Sequence, residues 1–382
     1  NPRDGSYFKI LTDLNSEELS YIHSLAPSRG VLKQDVDQQH CKIEPLSAMS
    51  ISDKNKMGAK SANMAFMTSY LSSKHLPKNP LGMPFCYYFK FVQEGKTSTG
   101  DSLQSFIKEQ LAEIASDPQN WGRTKNILTK ITAEIEHAKI PSYLLSSIRN
   151  KILENYPEAN TGLPIRLRSS SSLEDGMNFN GAGLYKSKTV YLNKVNSLER
   201  GLKKVWSSLY SFKAFSARNL FSVDESKIGM AILVHPSLKG ELAKGVALFS
   251  GGKNSQDRDI FTMKLSGFPG EELNVTNPPV GKVPEFTTVI EKILWNGEVK
   301  STITKEIHSS EVPVGQDLLR ESEYFALKDM IKTIYLAWVR ETGLHHYTLD
   351  FEWEVLPTHN QQRKIMVSQF RPVPRPRQKI NH

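Results

Sequence analysis

The sequence predicts a mixed α/β (α+β) fold in two lobes. Three observations predict it. The chain has 382 residues, which at about 150 residues per domain is enough for two or three lobes. Helical periodicity and strand-like alternation recur along most of that length instead of either running alone. The composition changes near His235–Gly240, and a lobe boundary is expected there.

The elements follow in order. Residues 1–55 are polar and irregular and read as an arm or linker, with one short helix expected at Ser16–Leu25. Ser16 can cap that helix, and Glu17 and Glu18 suit its first turn. Lys56–Leu71 carries Met57, Met64, Met67 and Leu71 at helical spacing, with Gly58 at its start. Pro77, Pro80 and Pro84 then lead into the aromatic run Phe85–Phe91. Residues 101–155 read as mostly helical, with Leu103, Phe106, Ile107, Leu111 and Ile114 on one face. Pro164–Arg168 alternates as a strand and runs into Ser169–Ser172, Glu174-Asp175 and the loop Asn180-Gly181-Ala182-Gly183. Thr189–Leu192 returns as a strand, and Leu198–Arg218 is a strong helical pattern. Ile228–His235 and Gly245–Ser250 read as buried strands, and Ser322–Thr342 as a long amphipathic helix. Two strands, Tyr347–Val355 and Lys364–Pro372, close the chain around the polar turn Pro357–Arg363. The expected lobes are residues 56–235 and 236–376.

Composition narrows the chemistry. No apolar run approaches the roughly 18 residues of a membrane span. The two cysteines, Cys41 and Cys86, are too few for a disulfide framework or a Cys-rich zinc module. With 49 basic and 40 acidic residues the net charge is +9, which suits polyanionic ligands or simply a lysine-rich surface. Nucleic acid as a partner rests on that charge alone and is not expected. A cytoplasmic location is expected, although the chain begins with Asn1 and few cysteines suit an oxidising space equally.

Four constellations carry candidate chemistry. Asp350, Glu352 and Glu354 alternate on one strand, so their carboxylates share a face while Phe351 and Trp353 point to a core. Clustered hard oxygens suit Mg²⁺ or Mn²⁺, and the same pattern also fits an ordinary solvated edge. Gln369 and Arg371 share a face of the next strand. The planar guanidinium fork suits phosphate, and a structural ion pair is the competing reading. Arg168, the serines after it and Gly181–Gly183 can present backbone N–H groups to phosphate oxygens, although neither a Walker A nor a dinucleotide fingerprint is present. Lys60, after small residues at a helix start, can reach an anion held at that terminus. Histidines His345 and His346 are adjacent and receive no role.

Taken together, these segments resemble the nucleotide-binding domain of pyruvate phosphate dikinase and phosphoenolpyruvate synthase, an ATP-grasp type PEP/pyruvate-binding domain, over about residues 55–373. Six segments stand in the family's order. They are Gly58-Ala59-Lys60-Ser61-Ala62-Asn63-Met64, Asn79-Pro80-Leu81-Gly82-Met83-Pro84-Phe85, Arg168-Ser169-Ser170 with Glu174-Asp175, and Phe179-Asn180-Gly181-Ala182-Gly183. Val205-Trp206-Ser207-Ser208-Leu209 follows, and then the pair Asp350-Phe351-Glu352-Trp353 and Gln369-Phe370-Arg371-Pro372.

The resemblance implies ATP in a cleft between two lobes. It implies Lys60 and Arg168 on the phosphates with the loop of Gly181, Ala182 and Gly183, and Arg371 on the terminal phosphates. Glu352 and Gln369 would bind Mg²⁺, with Asp350 beside them. Arg168 and Arg371 would be the catalytic groups. His235 falls where the family has a Gln near the adenine, which is a departure in base recognition. The implied activity is phosphoryl transfer from ATP to a histidine on another domain or partner, since the chain ends about ten residues after Arg371. Its rivals are a nucleotide sensor without turnover and a kinase acting directly on a small molecule or glycan.

Overall fold

A computed structural model describes residues 35–374 apart from 172, 174, 177, 178, 182, 254, 255, 257, 258, 359 and 361. The expected helix at Ser16–Leu25, and Ser172, Glu174 and Ala182 of the candidate motifs, lie outside the described residues. Among the described residues two antiparallel sheets and eight α-helices form a mixed α/β architecture, and each sheet has its own core.

The first sheet runs β1 (Glu44–Pro45), β2 (Leu81–Met83), β7 (Ala231–Pro236), β3 (Ile165–Ser170) and β6 (Lys188–Val190) in spatial order. Every residue of β7 is buried, as a central strand demands. Helices α2 (Phe85–Glu94), α3 (Leu103–Ser116), α4 (Trp121–His137), α5 (Ser142–Asn155) and α6 (Ser197–Ser207) bury their apolar stripes against it. The Ser102 hydroxyl and the Asn120 carboxamide oxygen accept from the Ser105 and Arg123 amides, which starts α3 and α4. The helical pattern at Leu198–Arg218 is divided. It breaks at a 3₁₀ turn, Ser208–Tyr210, before α7 (Phe212–Leu220), because Ser211 is extended and its hydroxyl caps α7. Tyr210 is thereby buried with its hydroxyl 2.9 Å from that of Tyr88.

The second sheet runs β11 (Val299–Ile307), β10 (Glu285–Ile293), β9 (Asp259–Pro269), β8 (Ala243–Lys253), β12 (Tyr347–Pro357) and β13 (Arg363–Pro374). A small hairpin, β4 (Asp175–Gly176) with β5 (Phe179–Asn180), stands apart from both sheets. Helix α8 (Glu321–Thr342) covers the inner face of the second sheet, packing Leu327, Ile331, Ile334 and Trp338 onto Phe249, Leu349, Phe351 and Trp353. Gly343 ends α8 in the left-handed region (φ 71°), where a side chain would be strained.

Two features lay beyond the sequence reading. The segment expected to be a loose arm contributes β1 to the first sheet and buries Ile43, Leu46 and Met49. Cys41 in that segment forms a disulfide with Cys86 of α2, Cα–Cα 5.3 Å, so the two cysteines make one crosslink where no framework was expected. Helix α1 (Lys54–Tyr70) also lies against strands of both sheets, with Met64, Phe66 and Met67 packed in the second core. Residues 237–242 connect β7 to β8, and hence one sheet to the other, at the composition change near His235–Gly240.

Candidate functional site

The site is built where β3 of the first sheet faces β12 and β13 of the second. At Gly58 the backbone kinks within α1 with φ 73°, and a Cβ there would lie 1.8 Å from the Ser170 carbonyl oxygen. Only glycine fits, so this kink of α1 seats directly on the end of β3. The Ala59 amide donates to Ser171 O (2.9 Å), the Ser61 amide to Ser170 Oγ (3.0 Å), and Ser170 Oγ to Met57 O (2.8 Å). Ser169, Ser170 and Ser171 are buried. Ser169, Ser170 and Ser171 therefore clasp these two elements together.

That clasp aims Lys60 along β3. The residue is only 8% exposed, and its Nζ donates to Ser169 Oγ at 3.3 Å while lining the central cavity. Across the cavity, β12 and β13 pair Glu352 with Gln369 and Asp350 with Arg371. A register shift after Glu352 skips Ser368 and keeps Gln369 opposite Glu352. As the alternation predicted, Phe351 and Trp353 are fully buried, while Asp350, Glu352 and Glu354 line the cavity.

Charges meet at close range here. Arg168 Nη2 reaches both Glu352 Oε2 and Gln369 Oε1 at 2.5 Å, and its Nη1 donates to Ser368 O at 3.4 Å. Arg371 Nε donates to Asp350 Oδ2 at 2.9 Å. Desolvation pushes the Glu352 carboxyl up, but the charge and hydrogen bond of Arg168, with Lys60 and Arg371 behind it, outweigh this and hold it below the usual carboxylate range. The cavity measures about 480 Å³. Lys60, Arg168, Gly183, His235, Asp350, Glu352, Gln369 and Arg371 all line it, so eight of the ten expected site residues meet in one place. Gly181 is buried at the loop base, with its carbonyl accepting from the Leu184 amide (3.1 Å), and Ala182 lies outside the described residues.

The sequence reading missed three lining residues at the end of the cavity nearest residues 237–242. Arg166 sits two residues before Arg168 on the same face of β3, a signal that alternation offered. Glu241 lies in the connection itself, where no periodicity points to it. Glu354 was read with Asp350 and Glu352 on the acidic face but was left out of the implied metal set. Burial drives its carboxyl up to about 7, against the pull of Arg168, with Glu241 and Glu352 adding like charge. Burial, with Arg168 and Arg166 nearby, drives His235 down to about 3, so its ring is neutral.

Residues 54–382 match the family described as the AMP/ATP-binding domain of pyruvate phosphate dikinase. The chain belongs to this family. A rifampicin phosphotransferase of Streptomyces sviceus is 24% identical over 289 residues, covering 72% of this chain and 30% of that protein. A probable phosphoenolpyruvate synthase of Methanothermobacter thermautotrophicus is 24% identical over 286 residues, covering 70% of this chain and 38% of its own length. The chain thus spans about a third of the length of these dikinase-family relatives.

The dikinase-family match gives the cation-rich cavity a ligand class. Among the described residues no three His, Cys, Asp or Glu side chains are grouped to hold a metal ion. Two neighbouring oxygens, Glu352 Oε2 and Gln369 Oε1, do converge on one point, which Arg168 Nη2 holds. A carboxylate and an amide oxygen fit Mg²⁺, which takes few protein ligands and fills its shell with water and phosphate oxygens. Among the described residues no helix is long and apolar enough to cross a membrane.

Proposed function

We propose that this domain binds ATP with Mg²⁺ in the cavity and donates a phosphoryl group to an acceptor outside the chain. The observation that carries the reading is the meeting of Lys60, Arg168 and Arg371 with the Glu352–Gln369 oxygen pair around one cavity. Three cations there offset the charge of a triphosphate. Gly183 lines the same cavity and would approach its oxygens. Glu352 and Gln369 would hold the metal, with Asp350 beside them, and a bound Mg²⁺ would neutralise charge on the phosphate oxygens.

Phosphoryl transfer needs positioning and charge compensation more than covalent chemistry, and this chain's residues supply both. Arg168 and Arg371 are held by carboxylates from β12, which fixes their forks before a ligand arrives and lowers the cost of organising them. Phosphate oxygens then take over the guanidinium donors from Glu352 and Asp350. The freed Glu352 carboxylate becomes available to the metal, so ligand and metal binding favour each other at this point.

The acceptor expected from the family resemblance is a histidine on a separate domain, with lobes 56–235 and 236–376 closing on ATP. The similarity to a rifampicin phosphotransferase supports a second reading in which the final acceptor is a small molecule. The test is titration calorimetry with ATP and Mg²⁺, followed by incubation with [γ-³²P]ATP and a supplied histidine domain. Binding heat that depends on Mg²⁺, together with acid-labile label on the acceptor, is expected. No heat at millimolar ATP and Mg²⁺ would overturn the reading.

A further inference from the structure

One wall of the cavity depends on contacts that strand pairing does not supply. Alternate residues Gly183, Tyr185 and Ser187 line the cavity, while Leu184 between them packs against the first core. Strand β6 begins only at Lys188, and among the described residues no strand pairs with 183–187. A wall without ladder hydrogen bonds keeps its shape only if other contacts tie it down.

The ties come from one region, residues 208–218. The Lys186 amide donates to the Ser208 hydroxyl (3.1 Å), and Lys213 Nζ donates to the Gly183 carbonyl oxygen (3.3 Å). Arg218 Nη1, on α7, donates to the Tyr185 hydroxyl (3.3 Å). Lys213 is exposed, where water competes for its ammonium, whereas Arg218 has no exposed surface.

Arg218 is itself held. Its Nε and Nη2 donate to the two carboxylate oxygens of Glu225, at 2.7 and 2.8 Å, and this bidentate pairing fixes the plane of the fork. Burial works against the guanidinium charge, and Tyr185 with Glu225 outweighs it, so the charge is kept. As a stabiliser of the fold alone, a desolvated charge pair is a poor choice, since apolar side chains of similar volume often do as well. Apolar side chains could not aim a rigid donor at a phenol on the cavity wall, which is what Nη1 does.

We propose that Arg218 is a positioning residue for phosphate binding, fixing the wall Gly183–Ser187 through the Tyr185 hydroxyl before a ligand arrives. Arg218 does not line the cavity and acts only through Tyr185, which does. A wall already in place spares the ligand the cost of ordering it, so the Gly183 backbone stands ready for phosphate oxygens. This rests on the phosphate site proposed above. It adds α7 and the turn at Glu225–Lys227 to the working parts of that site.

Tyr185→Phe removes the hydroxyl and keeps the ring, so it cuts the tie without emptying the space the ring fills. Calorimetry in the presence of Mg²⁺ compares ATP, inorganic tripolyphosphate and adenosine, which carries no phosphate. ATP and tripolyphosphate should bind about tenfold more weakly than to the parent, as when a hydrogen bond to a charged group is lost, with adenosine within about twofold. Arg218→Lys lacks the planar fork and should lose about as much. Added to Tyr185→Phe, it should cost less than about twofold more, because both changes cut one tie. Unchanged affinity of Tyr185→Phe for ATP and tripolyphosphate would overturn the proposal. An equal loss for adenosine would also overturn it, since that marks a general loosening of the fold. Additive losses in the double variant would rule out action through Tyr185. If Arg218→Lys does not fold, Tyr185→Phe decides alone. A parent that binds neither ATP nor tripolyphosphate would overturn the phosphate site, and the positioning role with it.

Discussion

The two ends of the cavity solve the problem of buried polarity in opposite ways. At the phosphate-facing end every candidate side chain has a protein partner: Arg168 with Glu352 and Gln369, Arg371 with Asp350, and Lys60 with Ser169. At the end near residues 237–242, His235 Nε2, Glu241 Oε2 and Glu354 Oε2 are buried without a hydrogen-bond partner among the described residues. Paired charges can be exchanged for a charged ligand without leaving anything stranded. Unpaired buried polar atoms instead each cost stability. The first arrangement suits a strong grip on a triphosphate, and the second leaves polar atoms unsatisfied.

The sharpest way to break the phosphate-facing end is Arg168→Ala. It removes the one group that touches both β12 and β13 and leaves Glu352 and Gln369 facing each other. Phosphoryl transfer at saturating ATP should fall by about 10²–10³, as when a preorganised donor is removed from developing charge. Arg168→Lys should restore little, because an ammonium cannot hold two oxygens in one plane. Single-turnover transfer rates at matched ATP occupancy decide it. Rates within a few-fold of the parent would make Arg168 a structural tie between the sheets.

Gly58→Ala attacks the same end from behind. It combines a left-handed backbone with a Cβ 1.8 Å from Ser170 O, so α1 must lift from β3. A loss of about 3 kcal/mol or more is expected, together with weaker ATP binding as Lys60 moves. Urea unfolding and calorimetry measure the two effects. A variant as stable as the parent would mean the clasp is loose. By contrast, Glu352→Ala and Gln369→Ala should leave stability nearly unchanged, since both side chains face the cavity. Each should reduce the Mg²⁺-dependent part of ATP affinity by about tenfold, as seen when a hydrogen bond to a charged group is lost. Identical ATP affinities with Mg²⁺ and with EDTA in the parent would remove the metal from the scheme.

The sequence was informative where local pattern decides geometry. Alternation along Asp350–Glu354 fixes which side chains face the cavity, because strand residues must point to opposite faces. The neighbouring Gln369–Arg371 pair then falls opposite by antiparallel pairing, register shift included. Helix α8 was legible from its apolar stripe, and its observed bounds, Glu321–Thr342, differ from the expected start by one residue. Long-range consequences were not legible. That Ser169–Ser171 would be a clasp depends on Gly58, more than 100 residues earlier, meeting Ser170 in space. The β1 pairing and the Cys41–Cys86 crosslink depend on the same kind of distant meeting. Glu241 sits in an aperiodic connection, where only the folded chain shows what it faces.

The smallest effect tests the end near residues 237–242 without any ligand. His235 is neutral in the fold with its pKa at about 3, chiefly through burial and then the Arg168 charge, whereas an unfolded histidine titrates near 6.5. Between those values the unfolded chain binds one more proton than the native one, so stability rises with pH and is lost as pH falls from about 6.5 toward 3. The slope is about 1.4 kcal/mol per pH unit, so lowering the pH from 7.5 to 5 should cost about 2 kcal/mol through this residue. His235→Asn supplies a side-chain amide that can give the same hydrogen bond to Pro236 O but cannot titrate. Its stability, followed by urea unfolding at pH 7.5, 6 and 5, should therefore fall less steeply than the parent's by about that amount. Parallel profiles would show that the imidazole takes up its proton in the native state. Nε2 would then be a donor in the fold.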